Sequence, residues 1–236
     1  MSRPAAIGLV LAGGMARRMQ PPGAAPSATI CKAALEIAGT TFLERVVSAV
    51  GRETGRVVVV TAPGRSLPAV SRAVEVVPDS LPGSGPLAAI GDGLAHLGPP
   101  VTLPDPRLVF VASCDLPLLD PCVVRLLLDR AAASGADWTA AAIDGHVQVL
   151  ASVVRPALAP RIAGWLATGR RDPRGLFAAL AGGCPGRTCV LAAREVATVD
   201  PGLRSFRDVD TPLDHALVAR QLTYGERGDE AYTPPP

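Results

Sequence analysis

A single lysine, Lys32, stands among 22 arginines. Where a surface needs only positive charge, this chain writes Arg. A compact ammonium on a flexible stem suits a phosphate oxygen as a point charge, where a planar guanidinium does not fit. Upstream of Lys32, the apolar run ending in Leu11-Ala12 meets Gly13-Gly14, and Arg17-Arg18 follow. Adjacent glycines after a strand let backbone N–H groups approach a polyphosphate closely. Alone, the pair reads equally as a tight turn, and it belongs to neither a G-x-G-x-x-G fingerprint nor a P-loop. Arg18 and Lys32 are the candidate cations around a transferring phosphoryl group, where they offset charge on its equatorial oxygens. From spacing alone, Arg18 is equally a solvated surface residue.

The candidate metal ligands are carboxylates. Asp115 follows the run Leu108-Val109-Phe110-Val111-Ala112-Ser113-Cys114. Charge at the end of a buried strand is costly unless something binds it. Mg²⁺ bridging to phosphate oxygens is the natural partner, and a turn or cap role before Pro117 is the alternative. Asp208 and Asp210, in Phe206-Arg207-Asp208-Val209-Asp210-Thr211-Pro212, fall on one side of an alternating segment. Either could complete the metal site begun by Asp115, while Asp210 or Thr211 could instead cap the helix that Pro212 opens. Asp79, ahead of Gly83, Gly85, Pro86 and Leu87, suits a ribose or base contact.

The elements that must position these residues are legible as an alternation. Residues 5–11, 56–61, 74–77 and 108–112 are continuous, largely β-branched apolar runs, as parallel strands covered on both faces should be. Between them, Phe42-Leu43, Val46-Val47 and Val50 have helical spacing, with Thr40 or Thr41 as the cap. Residues 87–97 and 123–132 are further helices, the second opened by Asp120-Pro121. Residues 138–143 and 147–154 flank the turn Asp144-Gly145 as two strands. Helices are expected near 156–167 and 174–181, then a short strand over 206–209 and a last helix. This pattern predicts an α/β fold, a three-layer α/β/α sandwich around a mostly parallel, Rossmann-like doubly wound sheet. One nucleotide-handling domain over residues 1–222 is expected. The Pro-, Ala- and Gly-rich stretch 21–29 reads as a loop, and 223–236 as an unstructured tail.

Composition narrows the function. A formal charge of +2 and 3 % aromatics leave neither a basic face nor a stacking platform, so no nucleic-acid partner is expected. No apolar run approaches the ~20 residues that span a membrane. The cysteines, Cys31, Cys114, Cys122, Cys184 and Cys189, are odd in number and form no Cys-x-x-Cys pair, which points to reduced thiols in a cytoplasmic protein. His96, His146 and His215 are widely separated and read as surface or structural residues.

Taken in order, residues 11–19 with Lys32, Asp79 with Gly85-Pro86-Leu87-Ala88, Cys114-Asp115-Leu116-Pro117, and Asp208-Val209-Asp210-Thr211-Pro212-Leu213-Asp214 resemble the motifs of the molybdenum cofactor guanylyltransferases, the MobA-like nucleotidyltransferases. The likeness extends over residues 5–222. It implies that Leu11, Ala12, Gly13, Gly14, Arg18 and Lys32 hold the nucleotide's triphosphate, and that Asp79, Gly85, Pro86 and Leu87 meet the nucleoside. It implies that Arg18, Lys32 and Asp115 are catalytic, and that Asp115 with Asp208 or Asp210 holds Mg²⁺. The acceptor's phosphate would attack the α-phosphorus of the NTP and expel pyrophosphate. Leu-Ala-Gly-Gly, rather than the Leu-Ala-Ala-Gly of related cytidylyltransferases, points to GTP, with molybdopterin as the phosphorylated acceptor and a monomer or weak homo-oligomer as the working form. The chain departs from the pattern at Gln20-Pro21, in the longer stretch before Lys32, and at Cys31, where the pattern has an acid. Rival readings are the same chemistry with CTP or with a sugar- or lactate-phosphate, and a non-catalytic carrier of nucleotide or cofactor. An Arg-rich loop, Gly169-Arg170-Arg171-Asp172-Pro173-Arg174, could receive the acceptor's phosphate at a helix start or simply be solvated.

Overall fold

The computed structural model describes residues 6–14, 17–19, 31–99, 106–183 and 187–224. The loop expected over 21–29 and most of the expected tail lie outside them. In chain order the elements are β1 (Ala6–Leu11), β2 (Glu36–Ile37), β3 (Thr40–Thr41), α1 (Phe42–Glu53), β4 (Arg56–Thr61), β5 (Glu75–Pro78), α2 (Pro86–His96) and β6 (Leu108–Ser113). They continue with α3 (Pro121–Ser134), β7 (Trp138–Ile143), β8 (His146–Val154), α4 (Ala159–Ala167), α5 (Pro173–Gly183), β9 (Thr188–Ala192), α6 (Ala193–Val196) and α7 (Pro212–Tyr224).

Seven strands form one sheet in the order β5-β4-β1-β6-β8-β7-β9. Parallel pairing joins β5, β4, β1 and β6, and also β7 with β9. Only β8 runs against its neighbours. The cause is local: Asp144 and Gly145 both take positive φ, 50° and 77°, the two-residue turn whose twist matches an antiparallel hairpin. The expected α/β/α layering follows. Strand residues alternate between two cores, with Val10 and Ala12 on one face and Ile7, Leu9 and Leu11 on the other. Buried residues of α1, α3 and α6 cover the first face, and those of α2, α4 and α5 the second.

Two glycines set the depth of that packing. A Cβ on Gly8 would lie 2.4 Å from Val50 Cγ1 of α1, and one on Gly93 of α2 would lie 2.3 Å from Leu9 Cδ1. The two helices thus close on opposite faces of β1, the strand that ends in the glycine pair. Thr41 is the cap of α1, its hydroxyl accepting from Glu44 N at 3.2 Å.

The strand expected over 206–209 is absent. Arg204–Phe206 form a 3₁₀ turn, and residues 207–210 run on without a ladder partner. Alternation alone does not make a strand; a free sheet edge alongside is also needed, and the sheet's edges, β5 and β9, are elsewhere. The segment is tied to the end of β6 by the bond from Val209 N to Asp115 O at 3.0 Å, and by the burial of Val209 with Ile37, Phe42 and Val218. Three elements escaped sequence reading: the small hairpin β2–β3, the edge strand β9 and the single turn α6. The last helix continues to Tyr224, past the expected boundary at 222.

Candidate active site

The parallel strands β5, β4, β1 and β6 all end on one edge of the sheet, where ligands of doubly wound folds bind. Backbone bonds staple the loops leaving them to neighbouring strands. Ala12 N donates to Val60 O and Asp79 N to Thr61 O, both at 2.7 Å, and Cys114 N donates to Leu11 O at 3.0 Å. Gly13, Gly14, Asp79 and Asp115 therefore share one rim. They line a cleft of about 650 Å³ with Leu11, Arg65, Gly83, Gly85 and Pro86. Asp79 is buried and accepts from Leu81 N at 2.9 Å, and its other oxygen would lie 3.7 Å from a Cβ on Gly13. Gly85 caps α2 at φ 89°, a conformation that calls for glycine, and Pro86 fills the first turn. Ala12 and Leu87 are buried beneath this rim as core residues.

Lys32 is brought in from below. A 3₁₀ turn over Lys32–Ala34 leads directly into the β2–β3 hairpin and α1, which fixes its backbone. Its Nζ donates to Asp115 Oδ2 at 2.9 Å and also to Asp210 Oδ1. Arg18 Nη1 reaches the other oxygen of Asp210 at 2.9 Å. Four of the expected site residues, 192 positions apart at the extremes, thus form one ion network. Burial works to depress the Lys32 pKa, but Asp115 and Asp210 outweigh it and hold it raised. Asp208 stands at the mouth. Its carboxyl is pushed up, first by partial desolvation, then by Asp210 and Asp115 nearby. Cys114, next to Asp115, is buried, and burial pushes its thiol far up, so it behaves as a small core residue.

The late motif is organised by a capping box. Thr211 Oγ1 accepts from Asp214 N at 3.2 Å, while Asp214 Oδ2 accepts from Thr211 N at 2.8 Å and from Asp210 N at 3.2 Å. Thr211 and Asp214 do the capping, which leaves the Asp210 carboxylate for Lys32 and Arg18.

No group of three or more His, Cys, Asp or Glu side chains able to hold a metal ion is assembled among the described residues. Asp115, Asp208 and Asp210 are not a closed cage. That donor set still fits Mg²⁺, which is commonly held by one or two carboxylates together with substrate phosphates and water. The Lys32 ammonium now bridges the Asp115 and Asp210 carboxylates, so cationic charge is already favoured at that point.

A second cleft, about 520 Å³, opens on the other side of Asp115 and shares it with the first. His146, Gln148, Asp172, Pro173, Arg174 and Asp208 line it. The Arg-rich loop singled out from sequence contributes Asp172, Pro173 and Arg174. His146, read from sequence as a surface or structural residue, is exposed, and its place just after the β7–β8 turn sets it in the cleft lining. Arg65, in the irregular segment between β4 and β5, and Gln148, within the expected strand β8, were missed as well, since neither stands in a motif whose spacing signals chemistry.

The chain belongs to the MobA-like NTP transferase family: a model of that domain matches residues 8–183. The chain is a nucleotidyltransferase of the molybdenum cofactor guanylyltransferase-like kind. It is 36 % identical over 170 residues, 70 % of this chain and 75 % of the relative, to a probable molybdenum cofactor guanylyltransferase of Mycobacterium tuberculosis strain H37Rv. A protein of the same description from Mycobacterium avium strain 104 is 35 % identical over 182 residues, covering 72 % of this chain and 79 % of the relative. Among solved structures, molybdopterin-guanine dinucleotide biosynthesis protein A from Archaeoglobus fulgidus superposes with a TM-score of 0.71 at 19 % identity, over 92 % of this chain and 99 % of that one. The 2-C-methyl-D-erythritol 4-phosphate cytidylyltransferase of Thermus thermophilus shares the fold, with a TM-score of 0.61 at 18 % identity over 91 % and 98 % of the two chains.

Proposed function

We propose that this nucleotidyltransferase moves GMP from GTP onto molybdopterin-bound molybdenum cofactor, with Mg²⁺, releasing pyrophosphate. The observation that carries the reading is the position of Asp115, which lies on both clefts while Lys32 links it to Asp210. A donor in the first cleft and an acceptor in the second would meet at that carboxylate. The relatives named for this activity support the choice of GTP and molybdopterin.

In the proposed reaction, Gly13 and Gly14 present backbone to the triphosphate, and Asp79, beside Gly13, holds the nucleoside. Arg174 and His146 orient the acceptor's terminal phosphate. An oxygen of that phosphate attacks the α-phosphorus. The bond between the α-phosphorus and the bridging oxygen breaks, and its electron pair leaves with pyrophosphate. Lys32 and Arg18 offset the charge this develops. Asp115, with Asp208 or Asp210, would hold Mg²⁺, which when bound supplies positive charge to the phosphate oxygens. The described cysteines are free thiols, which suits a cytoplasmic setting. No helix among the described residues is long and apolar enough to cross a membrane.

Thermal shifts with GTP, CTP, ATP and UTP, with and without Mg²⁺, test the donor. Ligand at ~100 times its Kd stabilises by about 2.7 kcal/mol, which raises the midpoint by roughly 5–10 °C for a chain of this size. A Mg²⁺-dependent shift with GTP, followed by pyrophosphate release on adding molybdopterin, is the expected outcome. No shift with any nucleotide would remove the reading.

A further inference from the structure

The glycine rim carries a third cation that neither the motifs nor the proposed mechanism uses. Arg65 lies in the segment between β4 and β5, and Gly64, at φ 69°, turns the chain there. Its Nη1 donates to Gly14 O at 3.3 Å and to Cys31 Sγ at 3.5 Å, and it lines the first cleft beside Gly13, Gly14 and Asp115. Among the described residues its Nε and Nη2 have no acceptor and no carboxylate pairs with it. A thiol is a weak acceptor and does not engage a guanidinium as a carboxylate would.

Its placement is built rather than incidental. Downstream, Ser71 N and Oγ both donate to Glu44, at 2.7 and 2.6 Å, which straps the segment to α1. The Arg72 guanidinium lies directly over Gly51 of α1, where a Cβ would come within 1.4 Å of Nη1. Leu67, Val70 and Val74 pack on the first core. On its other side, Gly14 faces Lys32, whose Cδ would lie 3.7 Å from a Cβ built there. Lys32 and Arg65 therefore flank the same glycine, Gly14, which lines the cleft.

We propose that Arg65 is a further catalytic residue of this site, gripping the β- and γ-phosphates of the donor nucleotide across Gly14 from Lys32 and holding the departing pyrophosphate. This rests on the reading of the first cleft as a nucleotide site. A forked guanidinium with an open edge takes two oxygens of one phosphate, which a point charge cannot do.

The test compares binding of GTP, ATP, GMP and inorganic tripolyphosphate, with Mg²⁺, to the wild type and to Arg65→Gln, Arg65→Lys and Arg65→Ala. Glutamine keeps a donor for Gly14 O and loses the charge. Arg65→Gln and Arg65→Ala should weaken GTP and tripolyphosphate about tenfold or more, the scale of a hydrogen bond to a charged group. GMP should change by less than about twofold, and Arg65→Lys should recover part of the loss. Wild-type affinity for GTP in Arg65→Gln would overturn the proposal, leaving Arg65 as a tether of the glycine turn. Equal losses of GTP and GMP, or a lost preference between GTP and ATP, would overturn it in favour of a nucleoside contact. A wild type that bound neither GTP nor tripolyphosphate would overturn the nucleotide reading itself, an outcome distinct from a wild type that binds both and an Arg65→Gln variant that matches it.

Discussion

Replacing Lys32 by Met removes the ammonium and keeps most of the stem. The magnitude follows from exposure. The Lys32 side chain is 11 % exposed, and its partners Asp115 and Asp210 are 21 % and 28 % exposed. Breaking a fully buried pair costs about 3–5 kcal/mol, and an exposed pair about 0–1 kcal/mol. This pair sits between those limits, so a loss of about 1.5–3 kcal/mol is expected. Arg18 offers little compensation, since its side chain is 75 % exposed and its pairing with Asp210 is screened. At roughly 2–4 °C per kcal/mol for a chain of this length, the melting midpoint in chelator should fall by about 3–12 °C. With the ammonium gone, Mg²⁺ has the carboxylates to itself. Millimolar Mg²⁺ should therefore raise the midpoint of Lys32→Met more than that of the wild type. Turnover should fall by about a hundredfold or more, the usual scale for losing one preorganised charge partner. Lys32→Arg keeps the charge and should cost little stability, yet lower turnover at least about tenfold, because the site wants a point charge. Scanning fluorimetry with EDTA or Mg²⁺, beside steady-state pyrophosphate release, reads all of this. A Lys32→Met protein as stable as wild type in EDTA, or Lys32→Arg with full turnover, would refute the reasoning.

Other expected outcomes are simpler. Asp115→Asn should abolish Mg²⁺-dependent nucleotide binding by calorimetry, and unchanged binding would remove Asp115 from the site. Asp214→Asn should cost about 0.3–1 kcal/mol: the amide oxygen still accepts from Thr211 N and Asp210 N, but the negative charge favoured at a helix N-terminus is lost. The Thr211 hydroxyl, then the Thr211 and Asp210 amides, hold the Asp214 carboxyl below its ordinary range. Its stabilisation is therefore present above the unfolded pKa of about 4 and lost as pH falls through the folded value. The gap between wild type and variant in urea melts should accordingly be full at pH 7 and close in acid; a pH-independent gap would contradict this. Gly8→Ala should destabilise by about 1–3 kcal/mol, since the new Cβ meets Val50 Cγ1 at 2.4 Å and overpacked cores carry costs of that size. An unchanged denaturation midpoint would show that α1 yields freely.

Much of this protein was decided by short-range order in the chain. Continuous β-branched runs alternating with helical spacing specify a layered α/β sheet because such strands must be covered on both faces. Asp144-Gly145 specifies the antiparallel hairpin of the main sheet because few residue pairs accept two positive φ values in succession. The lone Lys32, the Gly13-Gly14 turn and Asp115 stood out because residue type and place at a strand end already carry their chemistry. The tertiary structure decided which of these meet. Lys32 bridges Asp115 and Asp210 because burial of Val209 and its bond to Asp115 O pull the late segment to the end of β6, in an extended path with no ladder, where alternation had suggested a strand. Thr211 and Asp214, rather than Asp210, close the cap of α7, and only that geometry leaves the Asp210 carboxylate for the cations. Arg65 reaches its cleft from the irregular segment between β4 and β5, and His146 and Gln148 reach theirs from the start of β8. For Arg65 periodicity is silent, because the direction of a loop side chain depends on what the loop is packed against; for the β8 residues it gives a face of the sheet but not the cleft beyond it.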